Sequence, residues 1–234
     1  MINTDGMYDY YRIIIAMRDK LCGGVPKNKD LIRSWVESTT KYKDEKSAEL
    51  TEAAMEAMLD DVAEKSWNGF FRDAEHGLFI EARQVKAMFK ECASLLRITV
   101  TKQGSKQILQ HGFEVKALDG GARIYLGKAE PDGFDEQAIH VSTAQGPRTA
   151  IKRVDYVEGI EITFQVWVLN TAPAEKRHVG KDDLERMLGL AQENGLGADR
   201  SQGRGKFDVT VFEKLDGPIR EPLTATLAEH AKSR

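Results

Sequence analysis

"ENGLGADRSQGRGKF", residues 193–207, holds four glycines, two arginines and a lysine between a helical pattern and a strand pattern. Upstream, from about Asp182, Leu184, Met187, Leu188 and Ala191 keep helical step, with Asp182 or Asp183 as the acidic cap. Asn194-Gly195 stands where a helix C-cap belongs. Downstream, "KFDVTVFE" (206–213) reads as a strand. The order helix, loop, strand excludes the mononucleotide folds, whose phosphate loops run from a strand into a helix N-terminus. A helix C-terminus carries partial negative charge and repels phosphate. The motifs agree. Gly205-Lys206 is followed by Phe207 rather than Ser or Thr, and the third glycine of a G-x-G-x-x-G starting at Gly195 is Arg200. Two readings stay open: a loop whose arginine forks and N–H groups take the sugar-phosphate backbone of a polymer, or a solvated turn.

Working outward, "YYRIIIAM" (10–17) predicts a buried strand with Tyr11, Ile13, Ile15 and Met17 on one face. "LIRSWVE" predicts a short helix, and Ser47–Ser66 a longer one on Leu50, Ala54, Met58 and Val62. "GLFIE" (77–81) reads as a short strand, and 82–96 as a helix with Val85, Phe89, Cys92 and Leu96 in a stripe. "GFEVKAL" and "ARIYLGK" flank Asp119-Gly120-Gly121 and predict a hairpin. "IEITFQVWVL" (160–169) alternates Ile160, Ile162, Phe164, Val166 and Val168, the clearest strand pattern in the chain. Stripped of insertions, the order is strand, helix, strands, helix, strand. That is an α+β fold with a ferredoxin-like (RRM-like) βαββαβ core. It is read as a single domain, 1–234, with a helical insertion at about 22–76 and a basic thumb-like loop or hairpin at about 138–159.

Composition narrows function. A chain of 234 residues buries a core without disulfide or metal staples. Its net charge of -3 makes any polyanion site a local patch. Two cysteines in no paired spacing, no apolar run of membrane length and no signal-like start make the cytoplasm the expected setting.

The loop resembles the C-terminal glycine-rich loop of the RAMP proteins, the RNA-binding ferredoxin-like subunits of CRISPR effector complexes. Arg200, Gly203, Gly205 and Phe207 fit that pattern. "GLFIEARQVKAMFKE" is similar to the segment that enters the first long helix of backbone-type members, with Lys86 and Lys90 as the basic positions. "TAQGPRTAIKRVDYVEG" is similar to their inserted β-thumb, with Arg148, Lys152 and Arg153 as its charges. The resemblance, which extends to phage- or plasmid-borne relatives, implies a non-catalytic RNA-binding subunit of a ribonucleoprotein. Gly195, Gly197, Arg200, Gly203, Arg204, Gly205 and Lys206 would hold single-stranded RNA beside copies of the chain or related subunits, with no cofactor and no bound metal. It also implies an alternative, a metal-dependent endoribonuclease using Asp30 in "VPKNKD"; as the residue before "LIRSWVE", Asp30 also suits a helix N-cap. A third reading is a structural homo-oligomer of the same fold without RNA. The five histidines are scattered and form no motif. Trp35, Trp67 and Trp167 offer rings for base stacking, though core or interface packing is the favoured reading of all three.

Overall fold

The computed structural model describes residues 6–27, 67–98, 112–143, 146–170 and 179–221, with backbone alone at 138–143 and 146–151. Asp30, Trp35, the two helices expected before residue 67 and the tail beyond 221 lie outside the described residues. In chain order the strands are β1 (Tyr8–Met17), β2 (Leu21–Cys22), β3 (Val25–Pro26), β4 (Trp67–Gly69), β5 (Phe71–Asp73) and β6 (Gly77–Glu81). Helix α1 (Ala82–Leu95) follows, then β7 (Phe113–Lys116), β8 (Arg123–Tyr125), β9 (Gly133–Thr143), β10 (Gly146–Val157) and β11 (Glu161–Leu169). Helix α2 (Lys181–Asn194), a 3-10 turn (Arg200–Gln202) and β12 (Phe207–Leu215) complete this α+β architecture.

The main sheet runs β12-β1-β11-β7, antiparallel throughout. Alternation places Ile13 and Ile15 of β1 and Ile162, Phe164 and Val166 of β11 on one face, all fully buried. Helices α1 and α2 close that face. Val85, Met88, Phe89 and Cys92 recur at one-turn spacing on α1, and Leu184, Met187, Leu188 and Ala191 on α2, so each presents one apolar stripe to a shared core. The Phe89 ring lies 5.1 Å from Phe113 and 6.4 Å from Phe164. Burying each such side chain contributes about 1.5–3 kcal/mol.

Helix α1 starts where Gln84 accepts the backbone N–H of Glu81 at 3.0 Å. At α2 the cap residue is Gly180, and Asp183 accepts the Gly180 N–H at 3.3 Å from the first turn. The acidic start expected of Asp182 and Asp183 is thus realised inside the first turn rather than at the cap itself. Between Ile14 and Ile15 the β1–β12 ladder slips: Ile15 pairs Val209 and Ile14 pairs Val211, leaving Thr210 as the extra residue of a bulge.

Two smaller sheets flank the main one among the described residues, β2-β10-β4-β3 with β9 on β10, and β5-β6-β8. They correct one reading and narrow another. The Asp119-Gly120-Gly121 turn closes, with Ala117 N–H donating to Gly121 O at 2.9 Å, but its flanks do not pair with each other. β7 joins β11 because Phe113 and Val115 belong in the helix-covered core, whereas β8 joins β6. Of the two forms read for the basic thumb-like segment, loop or hairpin, the chain takes the hairpin: β9 and β10 form one antiparallel ribbon from Gly133–Tyr156 to Thr143–Gly146. Mutual pairing satisfies its backbone groups, which lets a polar sequence hold an extended ribbon. No helix among the described residues is long and apolar enough to cross a membrane.

Candidate nucleic-acid interface

The glycine loop joins α2 to β12, and six of its backbone N–H groups are engaged inside the chain. Gly195 N–H donates to Ala191 O, Leu196 to Gly205 O, Ala198 to Cys22 O, and Gly205 to Lys20 O, all at 2.8–2.9 Å. Gln202 and Gly203 N–H groups close the 3-10 turn on Asp199 and Arg200 carbonyls. Two of the glycines serve close approach. A Cβ on Gly205 would stand 1.9 Å from Leu196 O, and one on Gly197 2.6 Å from Cys22 O. At Gly203 a Cβ would meet nothing within 4 Å. The loop is a clasp laid across the residues that follow β1, not a solvated turn.

Its side chains are equally engaged. Arg200 pairs with Glu91 of α1 at 2.5 Å, and Lys206 with Glu193 at 3.0 Å. Glu193 also holds Arg18 at 2.6 Å, and these two cations keep its carboxyl below the usual range. Arg204 reaches Asp135 at 3.2 Å and Asp19 at 3.3 Å. The Lys20 N–H, and secondly Arg204, hold the Asp19 carboxyl below its ordinary value. Lys20 pairs with Asp135 at 2.8 Å and lies 3.8 Å over the Tyr156 ring, and the Asp135 bond raises its pKa. The cationic strip therefore carries matching carboxylates, each partly exposed.

The β9–β10 ribbon splits the basic positions that the sequence groups together. Lys152, Asp135 and Tyr156 share one face, and Lys152 pairs with Asp199 of the glycine loop. Arg153, one residue on, points the other way by strand alternation. There it pairs with Glu136 at 2.6 Å and sits 5.5 Å from the rings of both Trp67 and Phe134. Asp155, on that second face and only 2% exposed, accepts Trp67 Nε1–H and pairs with Lys27 at 2.5 Å.

Lys86 of α1 pairs with Glu114 at 3.3 Å, away from the loop cations. Lys90 has no ion-pair partner among the described residues. Arg148 stands in β10 opposite Val141, where only backbone is described. Trp167 packs on the outer face of the main sheet, 5.3 Å from Tyr10 and 4.0 Å under Lys116, with Nε1–H donated to Gln165. His76 lies 3.4 Å from Asp73 in the β5–β6 turn. Among the described residues no group of His, Cys, Asp or Glu is placed to hold a metal ion.

Sequence reasoning missed Lys20, Phe134 and Asp155, and the carboxylates of Glu91, Asp19, Asp135 and Glu193 that hold the strip. The signal for Phe134 was there: a lone aromatic in the acidic "GFDEQ".

No family model and no curated protein matches the chain. Among solved structures it is similar to a chain in a cryo-EM structure of the Type III-B Cmr-beta bound to cognate target RNA, at TM-score 0.48 and 15% identity. The likeness covers 89% of this chain and 61% of that one. Similarity of that size assigns neither fold nor function.

Proposed function

We propose that the chain is a ferredoxin-like βαββαβ protein of RAMP type that binds single-stranded RNA without cutting it, as a subunit of a CRISPR-type ribonucleoprotein. The observation that carries the reading is the place of the glycine-rich loop. It lies between the second helix and the last strand, beside the edge strand of a sheet ordered β12-β1-β11-β7. That placement supports the βαββαβ reading, in which the resembling family's loop lies between the last helix and the last strand. RNA phosphates would exchange for the carboxylates that now hold Arg200, Arg204 and Lys206. Ion pairs this exposed contribute about 0–1 kcal/mol each, so their loss costs the fold little. A phosphate takes a guanidinium in two charge-assisted bonds. The carboxylate left behind repels it and lowers net affinity.

Binding of a labelled single-stranded RNA at low salt tests this. Arg200→Ala and Arg204→Ala weaken binding and flatten its salt dependence. Glu91→Gln and Glu193→Gln tighten it, since each frees cations and removes a repelling charge. Absence of binding at any salt by the wild-type protein overturns the reading. A second reading, a structural homo-oligomer without RNA, is favoured by one specific observation: the strip's charges are balanced within the chain. A large assembly with the ultraviolet absorbance of bare protein, and no RNA binding, selects it.

A further inference from the structure

The second face of the ribbon carries a feature that phosphate contacts leave unexplained. Phe134 is 47% exposed, on a strand whose neighbours are acidic. Its ring lies 5.4 Å from Trp67, and the Arg153 guanidinium lies within reach of both rings at 5.5 Å. Trp67 is fixed in place. Its Nε1–H goes to the buried Asp155 carboxylate, whose charge Lys27 neutralises while lying 4.7 Å from the indole ring. Gly69, two residues on, leaves the room for this arrangement: a Cβ there would stand 2.5 Å from Lys27 and 2.6 Å from Asp155. A carboxylate buried to hold an indole edge, beside an exposed phenyl ring and a guanidinium, is a pre-oriented group of π-faces at the surface.

We propose that Phe134, with Trp67 and Arg153, is a stacking site for an unpaired nucleobase, on the ribbon face opposite the glycine loop. The inference rests on the reading that the chain binds single-stranded RNA and adds to it where and how a base is held. Ring faces stack on any base and read no sequence, and an arginine plane adds cation–π attraction. Arg153 meets the base while Lys152, on the other face, stays with the phosphate-facing loop. The strand therefore passes around the ribbon, with backbone on one side and a base on the other. A paired base has no free face to offer, so duplex RNA is excluded from this site.

The test uses the full chain, a short labelled oligouridine and an RNA duplex of equal length. Phe134 is exposed, so Phe134→Ala leaves the fold intact, which circular dichroism checks. The expected result is oligouridine binding weakened by about 5- to 150-fold. Its salt slope should stay unchanged, Phe134→Tyr should restore it, and duplex binding should not move. Arg153→Lys, which keeps the charge and loses the plane, weakens oligouridine binding as well. If the wild-type protein binds oligouridine and Phe134→Ala binds it equally, the stacking site is wrong while the RNA-binding reading stands. The stacking site is equally wrong if Phe134→Ala alters only the protein's oligomeric size, which marks the ring as a protein contact. If the wild-type protein binds no RNA, both fall together.

Discussion

Alanine at Gly205 and alanine at Gly203 should part company. Both glycines sit at positive φ, +77° and +81°, in the same loop. A side chain at either is strained by the left-handed backbone, at a cost of about 1–2 kcal/mol. Only at Gly205 is there also a collision, with the Cβ 1.9 Å from Leu196 O and 2.9 Å from Leu196 N. Relief requires the Leu196 N–H···O=C Gly205 bond, 2.9 Å long, to open in a buried place. A buried amide left unpaired costs about 1–3 kcal/mol. Gly205→Ala should therefore lose on the order of 3–4 kcal/mol, a large share of a typical domain's stability. At about 2–4 °C per kcal/mol this is roughly 10 °C in Tm. Gly203→Ala should lose about 2–8 °C, since nothing crowds its Cβ and only the backbone strain remains. Thermal melts followed by far-ultraviolet circular dichroism read both numbers. Equal Tm values for the two variants would refute the claim that the buried glycines exist for backbone packing rather than for loop freedom.

Asp155→Ala should destabilise by about 3–5 kcal/mol, because it strands the Lys27 charge and the Trp67 N–H. Asp155→Asn keeps an acceptor and should lose less, a ranking that urea titration measures. Acid should loosen the clasp. The folded-state pKa values of Asp19 and Glu193 lie below their ordinary ones, so their stabilisation is complete above the ordinary carboxylate range. It is lost as pH falls through the lowered values, and Glu193→Gln should flatten the acid limb of a Tm-against-pH curve. Burial pushes the Cys22 and Cys92 thiols up to about 11. Neither should react with a thiol reagent near pH 8 until urea unfolds the chain, which a mass-spectrometric count of adducts decides.

Side-chain periodicity made the main sheet and its helices readable from sequence. β1, β11, α1 and α2 each bury one face, and that forces a two-residue or one-turn rhythm on Ile13, Ile15, Phe164, Val85 and Leu184. Partner choice left no such trace. β8 pairs with β6 and β7 with β11, although the turn between β7 and β8 has all the residues of a hairpin. The site was half legible. Arg200, Arg204 and Lys206 announce a cationic strip, but the carboxylates that hold them, Glu91, Asp19, Asp135 and Glu193, are scattered along the sequence and brought together only by the fold. Grouping Lys152 with Arg153 follows from reading 138–159 as a loop; once it is a strand, alternation separates them.

The bulge at Thr210 bears on how the last strand tolerates change in length. With Thr210 counted out, Val209 meets Ile15 and Val211 meets Ile14 in unbroken alternation. The chain carries here one residue more than its pairing frame uses. Removing Thr210 would leave Phe207 and Val209 under the helices, and Phe212 still stacked on Tyr11, at 5.4 Å in the present fold. Removing a residue from the regular pairs beyond Val211, with the bulge kept, would turn the rest of the strand inside out. Thr210 is thus the position in β12 where the sequence can shorten by one without the sheet changing sides.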